Sequence, residues 1–192
     1  VLPVSRNLQK VLRSYTFLLL YNFIESTLTN GIFEILDHIH DNKININNIS
    51  EDYQKIWLEN KAKQIHEINK EQRLVLILKE LINDSLGGNE LTFDKKRLSI
   101  NGNLGFKEIQ KLRLKFGLKS KIPNKDVKKL VHSLNVIKTK RNYLAHGNES
   151  FSKASELKSF KDLELIKNEI FIYIESIFLN INQFLLNNKF MK

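Results

Sequence analysis

The chain has 192 residues, 31 basic against 21 acidic side chains, no cysteine, two prolines and seven glycines. That length fits one domain spanning residues 1–192, and 42% apolar residues are too many for a disordered tail. The lack of cysteine excludes a disulfide scaffold, a zinc-thiolate site, an iron–sulfur cluster and a thiol nucleophile, while so few prolines and glycines argue for helices over a turn-rich all-β domain.

From about Ser5 to His40 apolar residues recur at spacings of three and four, from Leu8, Val11 and Leu12 to Leu36 and Ile39. Thr27, Thr29, Asn30 and Gly31 weaken the middle, which leaves either one kinked helix or two. Ser50 followed by Glu51 and Asp52 reads as an N-cap with first-turn acids, opening a helix expected to run to about Leu81. Gly87-Gly88-Asn89 marks a turn, and the apolar residues flanking Asp94-Lys95-Lys96 allow a short hairpin near residues 91–100. Asn103 is placed to cap a helix from Leu104 to Phe116, with Gly117 as its C-terminal glycine. A basic linker, Lys119 to Asn124, leads into a helix over roughly Lys125 to His146 that Gly147 ends. After a polar loop, Glu149 to Ser159, the last helix spans about Phe160 to Asn188; its apolar residues on several sides suit a central position or an oligomer interface. The expected class is all-α, a helical bundle with long N- and C-terminal helices and a small insertion.

The net charge of +10 is not spread along the chain. Residues 107–141 hold twelve basic and two acidic side chains, which accounts for the whole excess. Lysine, asparagine and isoleucine number 25, 22 and 22, a bias that A/T-rich coding produces, but coding bias would distribute lysine evenly. The clustering therefore points to a polyanion-binding segment, with Lys125, Lys128, Lys129, Lys138 and Lys140 as its contacts. A solvated helix face with a lysine-rich loop is the plainer reading of the same residues. The longest apolar run, Phe17 to Tyr21, is far short of the roughly 20 residues of a membrane span, and the first residues lack the order of a secretory signal. The expected location is the cytoplasm, with no membrane contact.

Among the five histidines, His38 and His40 are two apart and point to different sides of a helix, while His66 and His132 stand alone in helical patterns. No acid cluster accompanies them, so neither a metal nor another cofactor is expected. His146 differs because it closes the string Arg141-Asn142-Tyr143-Leu144-Ala145-His146-Gly147 at the end of the basic helix. Asn142 and His146 share a helix face, and the long Arg141 side chain can swing toward them. An imidazole can move a proton near neutral pH, and a guanidinium can bind two phosphate oxygens and offset charge developing there. These groups suit attack of a ribose 2′-hydroxyl on its neighbouring phosphodiester without a metal. They equally suit a structural Arg–carboxylate pair beside a histidine at a helix C-terminus.

The stretch Ile137 to Gly147 resembles the signature of the HEPN superfamily, in which a helical bundle carries Arg, a polar residue, three variable positions and His. Tyr21-Asn22-Phe23-Ile24-Glu25-Ser26 and Asn101-Gly102-Asn103-Leu104 resemble segments of stand-alone bacterial members, as do Ser150-Phe151-Ser152 and the long final helix. Residues 43–88 match only in being helical. The resemblance implies a metal-independent endoribonuclease, a toxin or antiviral effector, working as a homodimer with Arg and His from both subunits in one cleft. It implies that Arg141 stabilises the phosphorane, that His146 is general base or acid, and that Asn142 supports them. Glu25 would orient Arg141, its alternative being an ordinary helix acid. The implied products are a 2′,3′-cyclic phosphate and a 5′-hydroxyl, and relatives bind an antitoxin or regulatory partner protein. The alternative is a non-catalytic HEPN module that binds RNA or a nucleotide, or an interaction module, regulating a partner.

Overall fold

Ser5 starts the first helix: its hydroxyl accepts the Leu8 N–H at 3.2 Å, and α1 then runs unbroken over Arg6–Asp41. It belongs to a computed structural model that describes residues 5–66, 71–86, 90–98, 100, 102–119, 126–156 and 158–192. Among the described residues the other helices are α2 (Glu51–His66), α3 (Glu71–Ser85), α4 (Phe106–Lys115), α5 (Val127–Ala145), α6 (Phe151–Ala154) and α7 (Phe160–Leu186), with no strand. The chain is all-α, as its composition and patterning predict.

Two compact units share these helices. Residues 1–28, 101–111 and 120–179 form the first. Its core takes Phe17, Tyr21 and Ile24 from α1, Leu130, Leu134 and Ile137 from α5, and Leu163, Ile170 and Tyr173 from α7, all buried at helical spacings. The polar loop after α5 is more ordered than its composition predicts. It contains α6, and it docks on α1 through a Tyr15–Phe151 stack at 4.9 Å, the Ser14 hydroxyl on the Phe151 carbonyl, and the Ser155 hydroxyl on the Lys10 carbonyl at 2.7 Å.

Residues 29–100, 112–119 and 180–192 form the second unit. Tyr53 is its hub: the ring lies 6.3 Å from Phe116, 5.9 Å from Phe184 and 6.5 Å from Phe190, and its hydroxyl donates to the buried Phe116 carbonyl. Gly31 explains why α1 does not break in its weak middle. A Cβ there would stand 2.5 Å from Ile181 Cδ1, so the missing side chain admits α7, while Leu28, Ile32 and Ile35 keep the buried stripe in phase.

Three expectations are corrected. Residues 51–81 are not one helix; α2 and α3 are separate, and Lys61 of α2 pairs with Asp84 at 3.9 Å and Glu80 at 3.7 Å on α3. Among the described residues of 91–100 there is no hairpin, because the buried Asn60 amide occupies both the N–H and the C=O of Asp94, each at 2.9 Å. With that backbone taken, the Asp94 carboxylate caps the Lys96 N–H and a 3-10 turn forms over Lys95–Arg97. Asn103 does not cap α4; the Glu108 carboxylate reaches back to the Gly105 N–H at 2.9 Å instead. The Gly87-Gly88-Asn89 turn, Asn101, Lys125 and residues 120–124 of the linker lie outside the described residues.

By length and composition α7 is apolar enough to cross a membrane, with a mean hydropathy of 1.3 over its best window. Its buried residues nevertheless recur every three or four positions, and Lys161, Asp162, Glu164, Lys167, Glu169 and Glu175 share the helix. That pattern is the one-sided burial of a core helix.

Left-handed backbone at Gly117 (φ +71°) and Gly147 (φ +69°) closes α4 and α5. A Cβ on Gly147 meets open space, whereas one on Gly117 comes within 3.0 Å of the Phe184 ring. Gly147→Ala should therefore cost about 1 kcal/mol from backbone strain alone, and Gly117→Ala about 2 kcal/mol, as read by urea denaturation. Equal losses would contradict this. At the start of α7, hydrogen bonds from the Ser159 hydroxyl and N–H hold the Asp162 carboxyl below the usual carboxylate range. A depressed pKa stabilises above the ordinary carboxylate value and is lost as pH falls through the lowered one. Amide exchange in the first turn of α7 should accelerate as pH drops from about 4 toward 2 relative to the rest of the helix, and Asp162→Asn should remove that dependence.

Candidate active site

The motif lies on α5, and both ends of that helix are set by local chemistry. Asp126 caps its start, accepting the Lys129 N–H at 3.1 Å. At its end Gly147 takes left-handed backbone, the Asn148 N–H bonds the Tyr143 carbonyl at 2.9 Å, and the Gly147 N–H bonds the Leu144 carbonyl at 3.3 Å. This paired closure is the Schellman arrangement. It leaves His146 as the C-cap, with its side chain exposed and no hydrogen bond to any described residue.

Arg141 is held without a counter-charge. Its guanidinium lies 4.5 Å from the centroid of the Tyr21 ring, and Nη1 donates to Asn142 Oδ1 at 3.1 Å. Among the described residues no carboxylate pairs with it. Asn142 in turn donates from Nδ2 to Asn103 Oδ1 at 3.1 Å. Tyr21 is fully buried, and its hydroxyl accepts the Leu104 N–H at 2.9 Å. Burial pushes the Tyr21 phenol above its ordinary value and the Glu25 charge adds to this, while the Leu104 N–H and Arg141 act the other way. The ring under Arg141 is thus a neutral phenol.

Glu25 and Arg141 both act on the Tyr21 phenol, with opposite signs of charge. The Glu25 carboxylate rests on the Gly102 backbone, where a Cβ would lie 3.1 Å from Oε1. Among the described residues no ion pair joins Glu25 to Arg141, whose contacts are the Tyr21 ring and the Asn142 amide.

The basic segment divides into paired and open cations. Lys138 meets Glu108 at 3.3 Å, Lys140 meets both oxygens of Glu149 at 2.8 Å, and Lys115 meets Glu59 at 2.5 Å. Partial burial alone would raise the Glu108 pKa, but N–H donors from Glu108 itself and Gly105, together with Lys138, outweigh it and hold the carboxyl below its usual range. Lys129 reaches Asp126 at 3.6 Å in an exposed pair, and Lys128 is exposed with no ion pair among the described residues. Both line a cavity of about 430 Å³ with His132 and Lys158. Lys125 is outside the described residues.

Arg141, Asn142 and Asn103 are therefore joined by contacts, His146 ends the same helix, and Lys138 and Lys140 are committed to carboxylates. Sequence reasoning missed Tyr21 and Asn103 as parts of this site. Their partners are 120 and 39 residues away, so no local spacing announces them. Among the described residues no three carboxylate or imidazole side chains gather as metal ligands would.

No curated protein and no solved structure matches the chain. A family model does, over residues 4–190, and the chain belongs to that family, the HEPN_MAE_28990-like HEPN proteins.

Proposed function

We propose that this chain is a metal-independent endoribonuclease that cleaves RNA by 2′-hydroxyl attack at a site shared across a homodimer. Family membership supports the coarser role of a ribonuclease or nucleotide-binding module. The observation that carries the finer reading is the state of Arg141: it is fixed by an aromatic ring and an amide, so its positive charge stays available for phosphate. A structural arginine in this position would have a carboxylate partner.

In this reading the 2′-oxygen forms its bond to phosphorus as an imidazole takes the hydroxyl proton. The P–O5′ bond then breaks, and the leaving oxygen gains a proton from an imidazolium. His146 supplies one of these roles and the partner subunit the other. Arg141 binds the non-bridging oxygens as their charge grows, and Asn142 holds it there. The products are a 2′,3′-cyclic phosphate and a 5′-hydroxyl. Lys128 and Lys129 supply phosphate contacts away from the reacting group, and Lys125 belongs to the same basic segment of the sequence. Charged-residue pairing at Lys138 and Lys140 makes these two a support for the helix more than an RNA contact.

The dimer reading draws on exposed apolar residues of the first unit. Phe23 of α1 and Phe171 of α7 meet edge to face at 5.1 Å, and with Phe178 they line an open cavity of about 430 Å³. Leu19, Ile172 and Leu179 are exposed on the same two helices. These exposed apolar residues supply the docking face for a second copy in this reading. The biological setting we propose is cytoplasmic, as a toxin or antiviral defence effector controlled by an antitoxin or regulatory partner protein.

Purified protein should cut single-stranded RNA in EDTA, and Arg141→Ala or His146→Ala should each lower the rate by about 10²–10³-fold with an unchanged circular dichroism spectrum. Activity that needs a divalent ion, or that survives both substitutions, would overturn the mechanism. Salt-sensitive RNA binding without turnover would favour the non-catalytic module. Phe171→Asp with Phe178→Asp should shift sedimentation from dimer to monomer and abolish cutting. A monomeric wild type that still cuts RNA would remove the shared site from the reading. Lys128→Ala with Lys129→Ala should reduce the slope of log affinity against log salt by about 1.4, two single-strand phosphate contacts.

A further inference from the structure

We infer that Tyr21 and Asn103 are the positioning residues of this site, and that together they set the direction of the Arg141 guanidinium while leaving its charge intact. The inference rests on Arg141 acting on phosphate and adds how it is aimed. A guanidinium only donates hydrogen bonds, so Asn142 must turn its carbonyl oxygen toward Arg141 and its NH2 away. That NH2 needs an acceptor, and Asn103 Oδ1 is there at 3.1 Å. The amide of Asn142 is thereby fixed in one orientation. If Asn103 did not accept, the reversed amide would press an NH2 against a guanidinium.

Tyr21 acts from the other side. Its buried ring supports the guanidinium plane, and its hydroxyl is tied to the N–H of Leu104, the residue next to Asn103. Both supports of Arg141 thus converge on two consecutive residues. That segment is tied by two hydrogen bonds, the Leu104 N–H to the Tyr21 hydroxyl and the Gly105 N–H to Glu108 Oε2, each at 2.9 Å. Neither Tyr21 nor Asn103 carries a charge at neutral pH, so they orient Arg141 without lowering the field it presents to a phosphate. Among the described residues only one of its five N–H groups is engaged.

The test separates aim from fold. Asn103 is exposed, so Asn103→Ala should leave the melting transition in place, lower kcat by about 30-fold and change KM less than twofold. Asn103→Gln, which keeps a neutral acceptor oxygen, should recover part of that loss. Tyr21→Phe keeps the ring and should stay within about fivefold of wild type, while Tyr21→Leu should fall about 30-fold or more. An independent readout is the NMR signal of the Arg141 side chain. Its δ-methylene protons should show an upfield ring-current shift in wild type, Tyr21→Phe and His146→Ala, lost in Tyr21→Leu and altered in Asn103→Ala. Arg141 signals that do not move in Tyr21→Leu and Asn103→Ala overturn the inference, whatever the RNA assay gives. Losses confined to KM overturn it too. Signals that move as expected in a protein that cuts no RNA support the positioning and overturn the ribonuclease reading alone.

Discussion

A half-buried guanidinium needs something to hold it, and the choice of partner decides what it can do. Here the partner is the Tyr21 ring at 4.5 Å, assisted by the Asn142 amide. A carboxylate would hold Arg141 more firmly but would cancel most of its field at a phosphate. The ring keeps the cation, and that requirement propagates outward. Tyr21 must be buried to be rigid, so α1 must bury it against the core; its hydroxyl then needs a partner, which Leu104 provides. Residues 102–105 are consequently fixed in place by a helix that lies some 80 residues earlier in the chain.

The charge distribution follows a similar logic. In sequence the whole excess lies between Lys107 and Arg141, which suggests one continuous basic surface. Folding redistributes it. Glu59 and Glu149 lie outside that stretch, yet they neutralise Lys115 and Lys140, and Glu108 within it takes Lys138. The Lys115–Glu59 pair is exposed and contributes little stability, whereas the other two are part-buried; all three remove cations from the pool that a polyanion can meet. Among the described residues Arg141 and, farther back along α5, Lys128 are cations of this stretch that no carboxylate takes.

Most of the helical layout was legible because burial on one side imposes a 3.6-residue period that survives in a single sequence. Gly117 and Gly147 were readable as helix ends because left-handed backbone strongly favours glycine. The failures share a cause. Asn60 captures the backbone of Asp94 from 34 residues away, and Lys61 folds α3 onto α2 through Asp84; neither event leaves a local periodicity. Asn103 looked like a helix cap because asparagine before a helix usually is one, but Glu108 had already satisfied the Gly105 N–H, which left the Asn103 side chain for Asn142. In the site, Arg141, Asn142 and His146 stood out as a motif, whereas their neutral supports are defined only by tertiary contact.

The end of α5 that carries the motif is the wrong end for an anion. Free carbonyls concentrate at a helix C-terminus and repel phosphate, whereas an N-terminus would attract it. Two features of this chain offset that. The turn at Gly147 consumes the Tyr143 and Leu144 carbonyls, and the His146 N–H engages the Asn142 carbonyl at 3.0 Å, so the last turn presents fewer bare acceptors. The remaining attraction must come from a side-chain cation. A guanidinium paired with an acid could not supply it against the helix field, but one resting on a neutral ring can. The tyrosine platform and the glycine closure are therefore two answers to one electrostatic problem, and each is needed because the motif ends at His146, where a helix stops.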